Sequence, residues 1–176
     1  MKIPGIVRKH SVAFFTGIII AVLCFIGINA AMESTSKSEF CGGKCHEMKA
    51  AYRSWELSPH GANKYGVRVE CVDCHLPPKD EFFRHITAKA YDGGKDVLKH
   101  YFGDGYDIEK TRTKVLEHMP NKTCLHCHNS LLTKSGSSAA RKAHMEVLNT
   151  SNEHKFRCVE CHEDVAHQRD NKLFSL

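Results

Sequence analysis

Eight of the nine cysteines fall into four pairs, and each pair is followed at once by a histidine. The strings are CGGKCH (Cys41, Cys45, His46), CVDCH (Cys71, Cys74, His75), CLHCH (Cys124, Cys127, His128) and CVECH (Cys158, Cys161, His162). Cys-x-x-Cys-His is the attachment pattern of c-type haem. Its two thiols add to the vinyl groups of the porphyrin, and the adjacent histidine is held under the ring, where its imidazole can bind iron. Paired cysteines also bind zinc or form redox disulfides, but neither use requires histidine as the next residue. With thirteen histidines in 176 residues, chance would place one after all four pairs roughly 3 times in 100,000. The first motif has three residues between its cysteines instead of two; its rank in the series and its flanks assign it to the same class.

A chain built this way needs little core of its own. Apolar residues make up 41% of it, and the roughly 140 residues after the apolar N-terminal segment would bury a limited core unaided. Four flat macrocycles would supply much of the interior. The expected fold is therefore mainly α with long loops and little sheet: one N-terminal transmembrane helix plus a multihaem domain organised around four haems. The formal charge of +5 says little about partners, because haem propionates would offset it.

Residues Val12 to Met32 carry no charge and one amide, Asn29. At about 1.5 Å rise per residue this length crosses a hydrocarbon core of about 30 Å. Lys2, Arg8 and Lys9 precede it and keep the N-terminus in the cytoplasm. The expected division is a cytoplasmic N-terminus (1–11), a transmembrane anchor (12–32) and an exported domain (33–176). A cleaved signal peptide is the competing reading, with Asn29-Ala30-Ala31 as its cleavage site; the run exceeds the usual apolar length of such peptides. Cys24, inside the span, reads as a buried apolar thiol.

Low-spin haem iron takes two axial ligands, usually histidine or methionine. Nine histidines lie outside the motifs. His10 precedes the span and is excluded. His167 follows His162 by five residues, too close to reach round to the far side of the same haem, so a neighbouring haem is expected. His60, in Ser-Pro-His-Gly, and His144, on an expected helix, rank next; His118 and His154 are reserves. His126, between motif cysteines, is expected to be exposed, and a solvated histidine is the default elsewhere. Met48 is a thioether close to His46.

Along the chain, Ser34 to Glu39 reads as a polar linker. The first two motifs end at Pro77-Pro78, which breaks any helix. Phe82, Phe83, Ile86, Ala90, Val97, Leu98 and Tyr101 predict a helix over 81–102. GDGYD at 103–107 is a turn. Helices are expected over 108–118 and 139–149, with a loop at 134–138. The motif pairs 41–75 and 124–162 suggest duplication of a dihaem unit.

With one N-terminal span, four motifs, the string CHEM and the ending CVECHEDVAH, the chain resembles the NapC/NirT family of membrane-anchored quinol dehydrogenases over essentially its whole length. The resemblance implies that Met48 ligates haem 1 in place of the motif histidine, as in the NrfH branch. It implies His60 as ligand of haem 4, His167 of haem 3 and His144, as in the NapC and CymA branches, of haem 2. NrfH-type chains can lack that last histidine and borrow a ligand from their partner. Lys89 and Asp96 match a lysine and an aspartate of the family's quinol pocket beside haem 1; seven residues apart, they share one helix face. Gly93-Gly94 between them would permit close approach of backbone to a haem or ligand.

The resemblance thus implies a quinol dehydrogenase in the cytoplasmic (inner) membrane, single-pass, with its haem domain on the periplasmic side. Its cofactors would be four covalent haems and its substrate menaquinol or ubiquinol. Its partners would be the membrane quinol pool and a periplasmic reductase, with no nucleic acid among them. Met48 makes a multihaem nitrite reductase the first choice of acceptor; His144 points to a general relay of the NapC/CymA kind. A plain electron carrier without a quinol site, and a haem reductase with its own substrate, are the competing classes.

Overall fold

The computed structural model describes residues 5–103, 105–150 and 155–168. Asp104, in the expected turn, and the reserve ligand His154 lie outside them. The described residues are helical and loop structure with no strand, as the fold class expects. Helix α1 (Gly5–Ser34) extends beyond the 12–32 span at both ends. Its stretch from Lys9 has a mean hydropathy of 2.6, and none of it is buried within the protein.

The first motif begins almost at once. Residues 35–37 turn the chain, and α2 (Ser38–Lys44) carries Cys41, so the expected linker is shorter than Ser34–Glu39. A single 3₁₀ turn (His46–Met48) joins it to α3 (Lys49–Glu56). The remaining elements are α4 (Cys71–His75), α5 (Phe82–Phe102), α6 (Ile108–His118), α7 (Asn121–Leu125), α8 (Ser138–Asn149) and α9 (Cys158–Cys161). The periodicity over 81–102 is α5, and the stretches expected over 108–118 and 139–149 are α6 and α8.

Among the described residues, only Trp55, Val72 and Val159 are buried hydrophobics. Polar anchors organise the packing instead. Trp55 donates its indole N–H to the Val69 carbonyl at 3.0 Å, and the Arg68 guanidinium lies 4.6 Å from its ring centre. Gly42 lets α2 meet α3: a Cβ there would fall 2.1 Å from the Tyr52 ring.

Ser38, fully buried, joins the first two motifs. Its amide and hydroxyl donate to Glu70 at 2.7 and 2.5 Å, and the hydroxyl accepts from the Cys71 amide at 2.9 Å. Asn121 joins the last two. Its side chain donates to the Phe156 carbonyl and accepts from the Cys158 amide, both at 2.8 Å.

Candidate functional site

Each regular motif sits on one turn of helix. His128 and His162 donate their amides to the carbonyls of Cys124 and Cys158, four residues back, at 2.9 and 3.0 Å. His75 closes α4 in the same way. The first motif has one residue more, so the amide that reaches Cys41 is that of Cys45, at 3.4 Å. Cys45 is then extended (φ −103°, ψ 110°) and His46 falls beyond the turn, exposed.

Three motif histidines face a second histidine. Ring centres are 6.2 Å apart for His75 and His167, 6.1 Å for His60 and His128, and 6.3 Å for His144 and His162. A metal–imidazole bond of about 2.0–2.1 Å on each side of one ion, as zinc shows, puts two ring centres about 6 Å apart. The donor set therefore fits a bis-histidine metal centre at these three motifs.

The pairing differs from the one implied by resemblance. His60 meets the third motif, not the fourth; His167 meets the second, not the third; His144 meets the fourth, not the second. For His60 and His167 the cause is the return of segment 163–168 onto the first half of the chain. Gln168 donates to Ser54 Oγ at 2.7 Å, and His167 Nδ1 lies 3.1 Å from the Ala51 carbonyl. Arg112 on α6 clamps the segment through the carbonyls of His167 and Glu163 and the Asp164 carboxylate. Its Nε is buried with no protein partner among the described residues, a donor suited to a porphyrin propionate.

The Nδ1 atoms of His60, His167 and His144 each meet an oxygen, of Val165, Ala51 and Ser135, at 3.1, 3.1 and 3.5 Å. That leaves Nε2 for metal, the usual outer-shell device. Burial lowers the His167 pKa to about 4, with the His75 charge adding to the effect. Desolvation also holds His75 below the ordinary imidazole value, although the residue as a whole is exposed. His167 is therefore neutral at pH 7, as metal ligation requires.

The cysteines adjoin in sequence order. Cys41 is in hydrogen-bond contact with Cys71, and Cys124 with Cys158; between these pairs α4 packs against α7. The Cys71 thiol is held below its ordinary value by the bond from Cys41.

The first motif is built differently. Met48 is half-buried, its amide bonded to the Cys45 carbonyl. His46 faces His100 with ring centres 5.4 Å apart. Both Nδ1 atoms approach one carboxylate, Glu47, at 2.9 and 2.5 Å, unlike the facing pairs at the other motifs. His100 carries no sequence signal beyond its identity, and sequence reasoning missed it. His85, expected to be solvated by default, is buried and bonded to the Pro77 carbonyl at 2.7 Å. His118 bonds within its own helix, to the Lys114 carbonyl, and His126 is exposed.

Lys89 and Asp96 share one face of α5, Lys89 half-buried and Asp96 exposed. The Lys89 amine donates to the Met32 carbonyl at 2.7 Å and to Ser36 Oγ at 2.5 Å, at the end of α1. Desolvation lowers its pKa, against the pull of Cys41. Desolvation raises the Asp96 carboxyl above its ordinary value, with Lys95 opposing it. A Cβ at Gly93 or Gly94 would meet nothing within 4 Å, so no protein atom approaches these glycines closely.

Comparison with known proteins gives one family match: the NapC/NirT cytochrome c family, N-terminal region, over residues 6–172. The chain is 29% identical to cytochrome c-type protein TorC of Escherichia coli, over 86% of the chain and 40% of TorC. It therefore spans about two fifths of that relative. It is 30% identical to cytochrome c-type protein NapC of Paracoccus pantotrophus, over 90% of the chain and 70% of NapC. It is 29% identical to denitrification system component NirT of Stutzerimonas stutzeri, over 86% and 78%. No solved structure matches the chain.

Proposed function

We infer the function from one premise: this chain belongs to the NapC/NirT cytochrome c family, whose cytochromes carry covalently bound haem. On that premise the chain holds four haems, one at each cysteine pair, and oxidises membrane quinol on behalf of a periplasmic reductase. The axial ligands within the chain are His75 with His167, His128 with His60, and His162 with His144. Met48 or His46 serves the first site. Residues 1–11 stay in the cytoplasm, 12–32 anchor the chain and 33–176 lie outside.

Bound haem supplies one-electron acceptance at iron and takes up no proton. The protein must therefore take the protons of the quinol. Asp96 is the proton acceptor, because desolvation brings its carboxyl upward toward the working pH. Lys89, on the same face, donates a hydrogen bond to a quinol oxygen and stabilises its developing negative charge. The contacts Cys41–Cys71 and Cys124–Cys158, with the packing of α4 against α7 between them, support a single row of four sites, first to fourth.

The observation that carries this reading is the bond from Lys89 to the Met32 carbonyl. It ties the Lys89 face to the end of the apolar span, where a lipid-confined quinol would be met. The test is quinol-driven haem reduction by Asp96→Asn in proteoliposomes. Slowed reduction with all four haems attached is expected; an unchanged rate removes Asp96 from the mechanism.

Two acceptors fit. Met48 supports a multihaem nitrite reductase. The facing of His144 and His162 supports a relay to other periplasmic reductases, because the chain then completes its fourth site without a ligand borrowed from a partner. A pulldown from membranes separates them: one stoichiometric multihaem reductase, or several substoichiometric ones.

A further inference from the structure

Helix α5 is amphipathic in the wrong sense for a helix packed on a core. At 3.6 residues per turn, His85, Lys89, Asp92, Asp96 and His100 share one face. His85 on this face is buried, and Lys89 and His100 reach α1 and Glu47. Phe83, Ala90, Tyr91, Gly94, Leu98 and Phe102 form the opposite face, and all are exposed, Phe83 by 82% and Phe102 by 84%. A shallow groove of about 580 Å³ runs along this face, lined only by residues between Ala90 and Gly103. No other described element covers it.

We propose that the outward face of α5 lies in the membrane surface, embedded at the boundary between headgroups and acyl chains. The occupant is the bilayer because α5 is tied to the end of the span. The Lys89 amine bonds to Met32 and Ser36, where α1 ends, so the middle of α5 sits where the anchor leaves the lipid. Arg84, Lys95 and Lys99 flank the apolar face. Aromatic side chains with cationic neighbours are the composition of interfacial helices, whose apolar face sinks about 5–10 Å into the headgroup–acyl boundary. Tyr91 and Tyr101 are also suited to that depth, with an apolar ring and a polar tip. Arg84 pairs with Glu81, just before the helix, and Lys95 with Asp92, so Lys99 is the cation freest to meet anionic lipid. The inference rests on α1 being the membrane anchor and is independent of the quinol chemistry.

The test uses the full-length holo-cytochrome in nanodiscs of phosphatidylethanolamine and phosphatidylglycerol. Benzoylphenylalanine replaces Tyr91 or Phe102, and Phe25, inside the span, as positive control. After irradiation, mass spectrometry should find phospholipid adducts at 91 and 102 in yields comparable to position 25. Adducts at position 25 alone would overturn the proposal, and so would cross-linked dimers through 91 or 102, because a second copy would then cover the face. Quinol-driven haem reduction in the same nanodiscs reports separately on the electron-transfer reading.

Discussion

Ser38 and Asn121 hold equivalent places in the two halves of the chain. Each lies three residues before the first cysteine of a motif, and each accepts the amide of the first cysteine of the next motif, Cys71 or Cys158, at 2.9 or 2.8 Å. The contacts Cys41–Cys71 and Cys124–Cys158 repeat with them. The duplication suggested by motif order is thus matched in hydrogen bonding, although the residue types differ.

Ser38→Ala and Asn121→Ala should each destabilise the holoprotein by about 1–3 kcal/mol, the range for stranding buried partners. Ser38→Ala should also change the acid limb. Burial pushes the Glu70 carboxyl up, but the Ser38 bonds and the Arg68 charge outweigh it, and the net shift is downward. A depressed carboxyl stabilises the fold above the ordinary carboxylate range and loses that contribution as pH falls through its folded value. Thermal unfolding from pH 7 to pH 3 should therefore show a shallower acid decline in Ser38→Ala than in the parent.

Gly42→Ala should destabilise by about 1–3 kcal/mol through overpacking, since its methyl would strike the Tyr52 ring. Gly43→Ala, whose Cβ meets nothing within 4 Å, should leave the melting temperature unchanged. Adding Tyr52→Ala should relieve the Gly42→Ala clash. A full penalty in the double variant would refute this account of the α2–α3 contact.

On the proposed reading, His167→Met should change the axial spectrum of one haem, the one attached at Cys71 and Cys74. Magnetic circular dichroism would detect it. In a variant with Cys71→Ala and Cys74→Ala, the same substitution should change nothing further. A persistent spectral change would return His167 to the third site. Arg112→Gln should broaden the signal of the same haem by loosening segment 163–168.

The raised Asp96 carboxyl has two consequences of stated sign. Quinol-driven reduction should rise with pH as Asp96 loses its proton, and Asp96→Asn should be slower and flat over that range. For stability the folded state holds this proton more tightly than the unfolded chain, so its contribution falls as pH rises between the two values. Asp96→Asn should remove that decline from the melting curve, where a purely surface role for Asp96 would leave it.

Local pattern made much of this legible. The motifs, the span, α5, α6 and α8 all follow from spacing or periodicity within a window. The histidine pairing does not, because His60 meets Val165 across 105 residues and His167 meets Ala51 across 116. Periodicity also tells which residues of α5 share a face without telling what that face meets, so an apolar stripe that reads as core is turned outward. His100 was missed because its setting depends on Glu47, half a domain away. The extra residue in the first motif was visible, but its effect on His46 emerges only from the helical turn that Cys45 closes.

The poverty of the protein's own core bears on biogenesis. Trp55, Val72 and Val159, the buried hydrophobics among the described residues, cannot hold a domain of this size together, so on the proposed reading the polypeptide has little reason to collapse before porphyrin is attached. Thioether formation would then act on an unfolded chain, with folding following in its wake. A cell short of haem would accumulate no folded reserve of this protein, only a tethered and protease-sensitive precursor.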